Sequence, residues 1–88
     1  MHEASLMKNL MARINAVARA ENAKRITGIS VWLGALSHMS ASHFAEHFEE
    51  SSAGTIAEGA KIETTVSTDI NDPKAQEIVL TGVTLVDT

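Results

Sequence analysis

The chain has 88 residues and a mass of 9.4 kDa, with 44% hydrophobic residues, enough for one compact core and too few for two. Its net charge of −4 and pI near 5.4 argue against nucleic-acid binding. The absence of cysteine excludes disulfides and every cysteine-based zinc, iron–sulfur or nucleophilic site.

Alanine supplies 13 of the 39 hydrophobic residues, and the aromatics are only Trp32, Phe44 and Phe48. A core of such small side chains is marginal alone and raises the expectation of a homo-oligomer or a protein partner. Residues 1–44 carry five Lys/Arg against two Asp/Glu, whereas 45–88 carry two against nine. That split suits docking through one face. No apolar run is long enough to span a bilayer, so no membrane partner is expected. Met1-His2-Glu3 is not a basic stretch leading into an apolar one, so no secretory leader is expected and the cytoplasm is the expected location.

From residue 4 to about 22, Leu6, Leu10, Ile14 and Val17, with Met7, Met11 and Ala18, recur at helical spacing without glycine or proline. Between Arg25 and Leu36 the period changes to two: Ile29, Val31, Leu33 and Ala35 alternate with Ser30, Trp32 and Gly34, which predicts a strand. Gly34 near its end allows a bulge or a close backbone approach. Ser37-His38-Met39-Ser40 is a short connection in which either serine can cap the helix predicted for 41–51. That helix presents Ala41, Phe44, Ala45 and Phe48 on one face and His43, Glu46, His47 and Glu50 on the other. A turn bounded by Gly54 and Gly59 leads into a strand over about 60–68. Asp69–Lys74, with Asn71-Asp72-Pro73, has turn chemistry, and a last strand covers 77–86. The order α-β-α-β-β predicts an α/β two-layer sandwich (α+β), two helices packed on a three-stranded mixed sheet, in a single domain over 1–88.

Two histidine patterns bear on metals. With His at position two, a free Met1 amine, the His2 amide nitrogen and the His2 imidazole close fused five- and six-membered chelate rings. Such a planar nitrogen set suits Ni(II) or Cu(II) better than tetrahedral zinc, and a Glu3 amide or carboxylate, or a side chain from a neighbouring loop, can complete it. The plainer alternative is an exposed histidine at a frayed end. His43-Phe44-Ala45-Glu46-His47 matches the inverted zincin pattern H-x-x-E-H, with both histidines on one helix face. A peptidase also needs a third ligand and a substrate cleft, which a chain of this size barely accommodates, so the simpler reading is a solvated helix face.

Met1-His2-Glu3-Ala4-Ser5-Leu6, Arg25-Ile26-Thr27-Gly28, Gly34-Ala35-Leu36-Ser37, Phe44 with Phe48-Glu49, and Gly54-Thr55-Ile56-Ala57-Glu58-Gly59-Ala60 occur in this order. Together they resemble the HypA/HybF family of nickel-incorporation chaperones for [NiFe]-hydrogenase maturation, from residue 1 to about 66 and again in the last strand. The resemblance implies two helices against a three-stranded sheet and a nickel site at His2, assisted by the Met1 amino terminus, nearby amides and Glu3. It implies Ni(II) as transient cargo, no enzyme activity, and as partners a nickel-delivering GTPase and the hydrogenase large subunit. The family usually inserts a zinc module with two CxxC pairs between the second and third strands. Here that interval contains no cysteine, so no structural zinc is expected, and the two strands are expected to join as an antiparallel hairpin with its turn near 69–76. The family often carries an acidic residue after the first-strand loop; this chain has His38-Met39-Ser40-Ala41, which makes His38 a candidate auxiliary nickel ligand, against the alternative of an exposed loop histidine. A zinc-less paralogue that docks on a maturation partner without transferring metal is the competing function.

Overall fold

A computed structural model describes residues 2–86, and the side chains of 4–86. The elements are α1 (His2–Ala20), β1 (Arg25–Leu33), α2 (Ala41–Ser52), β2 (Lys61–Val66) and β3 (Ile78–Val86). Two helices lie on one three-stranded mixed sheet, as the hydrophobic periods predict.

The core forms where the apolar stripes meet. Met7, Leu10, Ile14 and Ala18 of α1 are buried with Ile26, Ile29, Val31 and Leu33 of β1 and Phe44 and Phe48 of α2. Val17 and Leu6 sit at the margin of the stripe and are only half buried. Met39 and Ala57, both in connections, complete the cluster. In β1 the buried positions skip from Ile26 to Ile29, out of phase with strict alternation. A bulge between Ile26 and Gly28 adds one residue relative to β3 and brings both isoleucines to the helix side.

Local chemistry ends each helix. Asn22 takes a left-handed φ of 56° after α1, and the Ala23 amide donates back to the Ala18 carbonyl at 2.9 Å, closing the C-terminus. At the start of α2, Ser40 has extended backbone and its Oγ accepts from the His43 amide at 3.1 Å, so the second of the two candidate serines is the cap. Gly54 and Gly59 adopt φ near +79° and +78°, which explains the glycines that bound that turn.

The expected hairpin between the last two strands does not form. The sheet order is β2-β1-β3, with β1 central, parallel to β2 and antiparallel to β3. α2 is the crossover that a parallel β1–β2 pair requires. Residues 67–77 then pass over the end of β1 to reach its far side, and three backbone bonds hold them there: Ser67 N to Leu33 O (2.9 Å), Gly34 N to Glu77 O (2.9 Å) and Leu36 N to Ala75 O (2.7 Å). β1 therefore stops at Leu33, not Leu36, because residues 34–36 bond to the crossing segment. The approach is so close that a Cβ on Gly34 would lie 2.2 Å from the Ala75 carbonyl oxygen. The turn chemistry of 69–74 is real, but it shapes a crossing: the Asp69 and Asp72 carboxylates accept from the amides of Asn71 (2.9 Å) and Lys74 (2.8 Å).

Candidate metal centre

Both helices run antiparallel to β1. α1 reaches the start of β1 through residues 21–24, and α2 leads to Ile56, whose carbonyl accepts from the Ile26 amide at 3.0 Å, also at the start of β1. The N-terminal ends of α1 and α2 accordingly lie together at the finish of β1. A shallow groove of about 520 Å³, lined by Leu6, Leu36, Ile70 and Ala75 among others, marks that end. The beginning of α1, the 37–40 connection, the first turns of α2 and the crossing segment thus converge there.

α1 begins at His2, so the backbones of His2 and Glu3 belong to its first turn. Met1 and the side chains of His2 and Glu3 lie outside the described residues. His38 belongs to the same end of the molecule. It is exposed and holds a left-handed φ of 60°, uncommon for a residue with a side chain. Its neighbours point the other way: Ser37 is 2% exposed and Met39 is packed in the core. Among the described residues, the buried Ser37 Oγ has no hydrogen-bond partner. The sequence offers this serine as a cap and does not show it as buried, because a hydroxyl in a polar connection ordinarily faces water.

His43 and His47 stand one turn apart on α2, half buried, with Nε2 atoms 2.9 Å apart and ring centroids 4.6 Å apart. They are less solvated than a plain polar helix face. Phe44 and Phe48, stacked at 6.0 Å and about 100° round the helix from the histidines, fix its rotation. Glu46 is exposed. Among the described residues, no three His, Asp or Glu side chains converge as a metal-holding group.

The family model for HypA, the hydrogenase/urease nickel-incorporation metallochaperone, matches residues 1–71. The chain belongs to the HypA family. Hydrogenase maturation factors HypA of Picosynechococcus and of Escherichia coli are each 36% identical to it over 62 residues, covering 70% of this chain and 55% and 53% of their own lengths. That of Methylocella silvestris is 35% identical over 63 residues, covering 72% of this chain and 56% of its own. This HypA-family chain therefore spans about half the length of the curated relatives it matches. Its fold is similar to the solution structure of the Ni metallochaperone HypA from Helicobacter pylori, with a TM-score of 0.76, 18% identity and 98% of each chain covered. At that identity the likeness is one of fold. No helix among the described residues is long and apolar enough to cross a membrane.

Proposed function

We propose that this HypA-family chain binds Ni(II) as transient cargo at Met1, His2 and Glu3 and hands it on during hydrogenase maturation. The observation that carries this reading is the family match, which begins at residue 1 and so includes the tripeptide. A free Met1 amine, the His2 amide and the His2 imidazole supply three nitrogens in one plane; the Glu3 amide or carboxylate supplies the fourth donor. The helical start at His2 favours such use of the backbone. The first amides of a helix have no carbonyl partner within it, so engaging them with a metal sacrifices no helical hydrogen bond. His38, exposed at the same end, serves as the auxiliary ligand, taking the fourth position when Glu3 does not. The cargo is released to a nickel-delivering GTPase or to the hydrogenase large subunit, in the cytoplasm, and no reaction is catalysed.

The same proposal takes residues 1–88 as one nickel-binding domain without a zinc module. Residues 67–77, between β2 and β3, contain no cysteine and are tied to β1 by backbone bonds along their length. One observation favours the competing reading of a docking module: the groove at the metal end exposes Leu36 and Ile70, at 38% and 62%.

The test is a calorimetric titration of Ni(II) into the untagged chain and into His2→Ala, followed in the visible d–d region. One equivalent with a planar-type spectrum that disappears in His2→Ala is expected. Uptake indifferent to His2, or none, leaves the docking module.

A further inference from the structure

We propose that β3 is a dimerisation edge, along which two copies of this chain join antiparallel and merge their three-stranded sheets into one. The interface does not depend on nickel. β3 lies at one side of the sheet, and among the described residues no strand pairs with its outer edge. Free N–H and C=O groups on such an edge invite another strand, and proteins ordinarily blunt it with charge, proline or short length. β3 runs for nine residues, Ile78–Val86, without a charge or a proline. The other edge, β2, has six residues and carries Lys61 and Glu63. The unguarded edge is therefore β3.

Side chains point the same way. Ile78, Leu80, Val83 and Leu85 stand opposite Leu33, Val31, Ile29 and Ile26, so all four face the helix layer. Their partners in β1 are buried, whereas these four are only half buried. On α1, the half-buried Leu6 lines a cleft with Ile78 and Val79. Val17, also half buried, follows eleven residues later and so shares that side of the helix. One wall of the molecule thus sets six half-covered apolar side chains along an unpaired strand. At about 3.3 Å per residue the strand is about 30 Å long, and a sheet and a helix layer are about 10 Å deep each. The wall offers on the order of 600 Å² a side, so two copies clear the roughly 1,000 Å² that a specific interface needs.

A second copy suits this wall because β3 is complementary to itself. Leu80 faces Val31 and Gly82 faces Ser30, which leaves Thr81 as an extra, bulged residue. The bulge reverses the alternation halfway along the strand. When two antiparallel copies meet there, Ile78 of each opposes Leu85 of the other, and Leu80 opposes Val83, all on the helix side. Like charges stay apart as well. Arg13, Lys74 and Glu77 border the cleft at the start of β3, and antiparallel pairing sends the two starts to opposite ends of the interface. The added apolar burial supports a core whose small side chains make it marginal alone.

The experiment is sedimentation equilibrium of the full, untagged, metal-free chain over a concentration series, with far-UV circular dichroism as the check on folding. A mass twice the 9.4 kDa of one chain at high concentration, falling on dilution, is expected. Thr81→Lys, at an exposed position, sets two ammonium groups beside the two-fold axis and should weaken association at least tenfold. Thr65→Lys, equally exposed on β2, should leave it unchanged. Thr84→Lys takes the place of Thr81→Lys if that variant fails to fold. A mass of 9.4 kDa at every concentration overturns the proposal. So does a dimer that the β3 lysine leaves intact, or one that Thr65→Lys disrupts as much.

Discussion

Ser37 and His38 are adjacent and have opposite environments, and each makes a prediction at the scale of the residue. The Ser37 hydroxyl is buried and has no partner among the described residues, a situation that costs about 1–3 kcal/mol. Ser37→Ala should therefore raise the unfolding free energy by about 1 kcal/mol in a urea titration. A loss of similar size would mean that the hydroxyl has found a partner in solution. His38 holds a left-handed conformation that costs a side-chain-bearing residue about 1–2 kcal/mol, partly offset in glycine by the freedom of its unfolded state. His38→Gly is thus expected to be as stable as the parent or slightly more so, while weakening nickel binding. If the nickel affinity of His38→Gly equals that of the parent, the auxiliary-ligand role is lost and only the backbone oddity remains. Neither feature could be read in the sequence. A serine and a histidine between a strand and a helix look alike in a hydropathy pattern, and only the fold decides which one turns inward.

At the scale of elements, the sharpest test concerns the passage of residues 67–77 across the end of β1. A Cβ on Gly34 would meet the Ala75 carbonyl oxygen at 2.2 Å and the Lys74 carbonyl oxygen at 2.7 Å, both of them backbone. Gly34→Ala should lower stability by about 3 kcal/mol or more, in the class of severe overpacking, or abolish folding. A Gly34→Ala protein with unchanged denaturation midpoint would contradict the crossing. A milder loss, about 1 kcal/mol, is expected for Ser40→Ala, which removes the cap of α2. The periods of the apolar residues sufficed to place all five elements, because each buries one face against the other layer. Pairing order was another matter. Alternation says which side of a strand is buried and nothing about which strand lies beside it, so the hairpin was a natural but incorrect inference from two adjacent strands and an Asn-Asp-Pro turn. The clue in the sequence was Gly34, whose close approach was expected while its partner, Ala75, was not. The length of the segment was a second clue, since eleven residues exceed the two to five usual for a hairpin loop.

At the scale of the whole molecule, topology gathers the chemistry. Two helices antiparallel to β1 bring the first turn of α1, His38 and the first turns of α2 to one end of the sheet, although these segments are some forty residues apart in the chain. The tripeptide was legible in the sequence as a chelating pattern, and family membership gives it a biological setting. The convergence was not legible, because it follows from the antiparallel run of both helices to β1 and from the central place of that strand. The central claim is that backbone nitrogens at this end hold nickel. The most direct measurement is a ¹H–¹⁵N correlation spectrum of the untagged chain before and after one equivalent of Ni(II). A planar nitrogen complex is diamagnetic and replaces amide protons by metal. The account predicts sharp spectra throughout, with the His2 amide signal gone, the Glu3 amide signal gone as well where that amide is the fourth donor, and shifts extending to residues 37–40. Retention of both amide signals, with perturbation confined to α2 or absent, would contradict it.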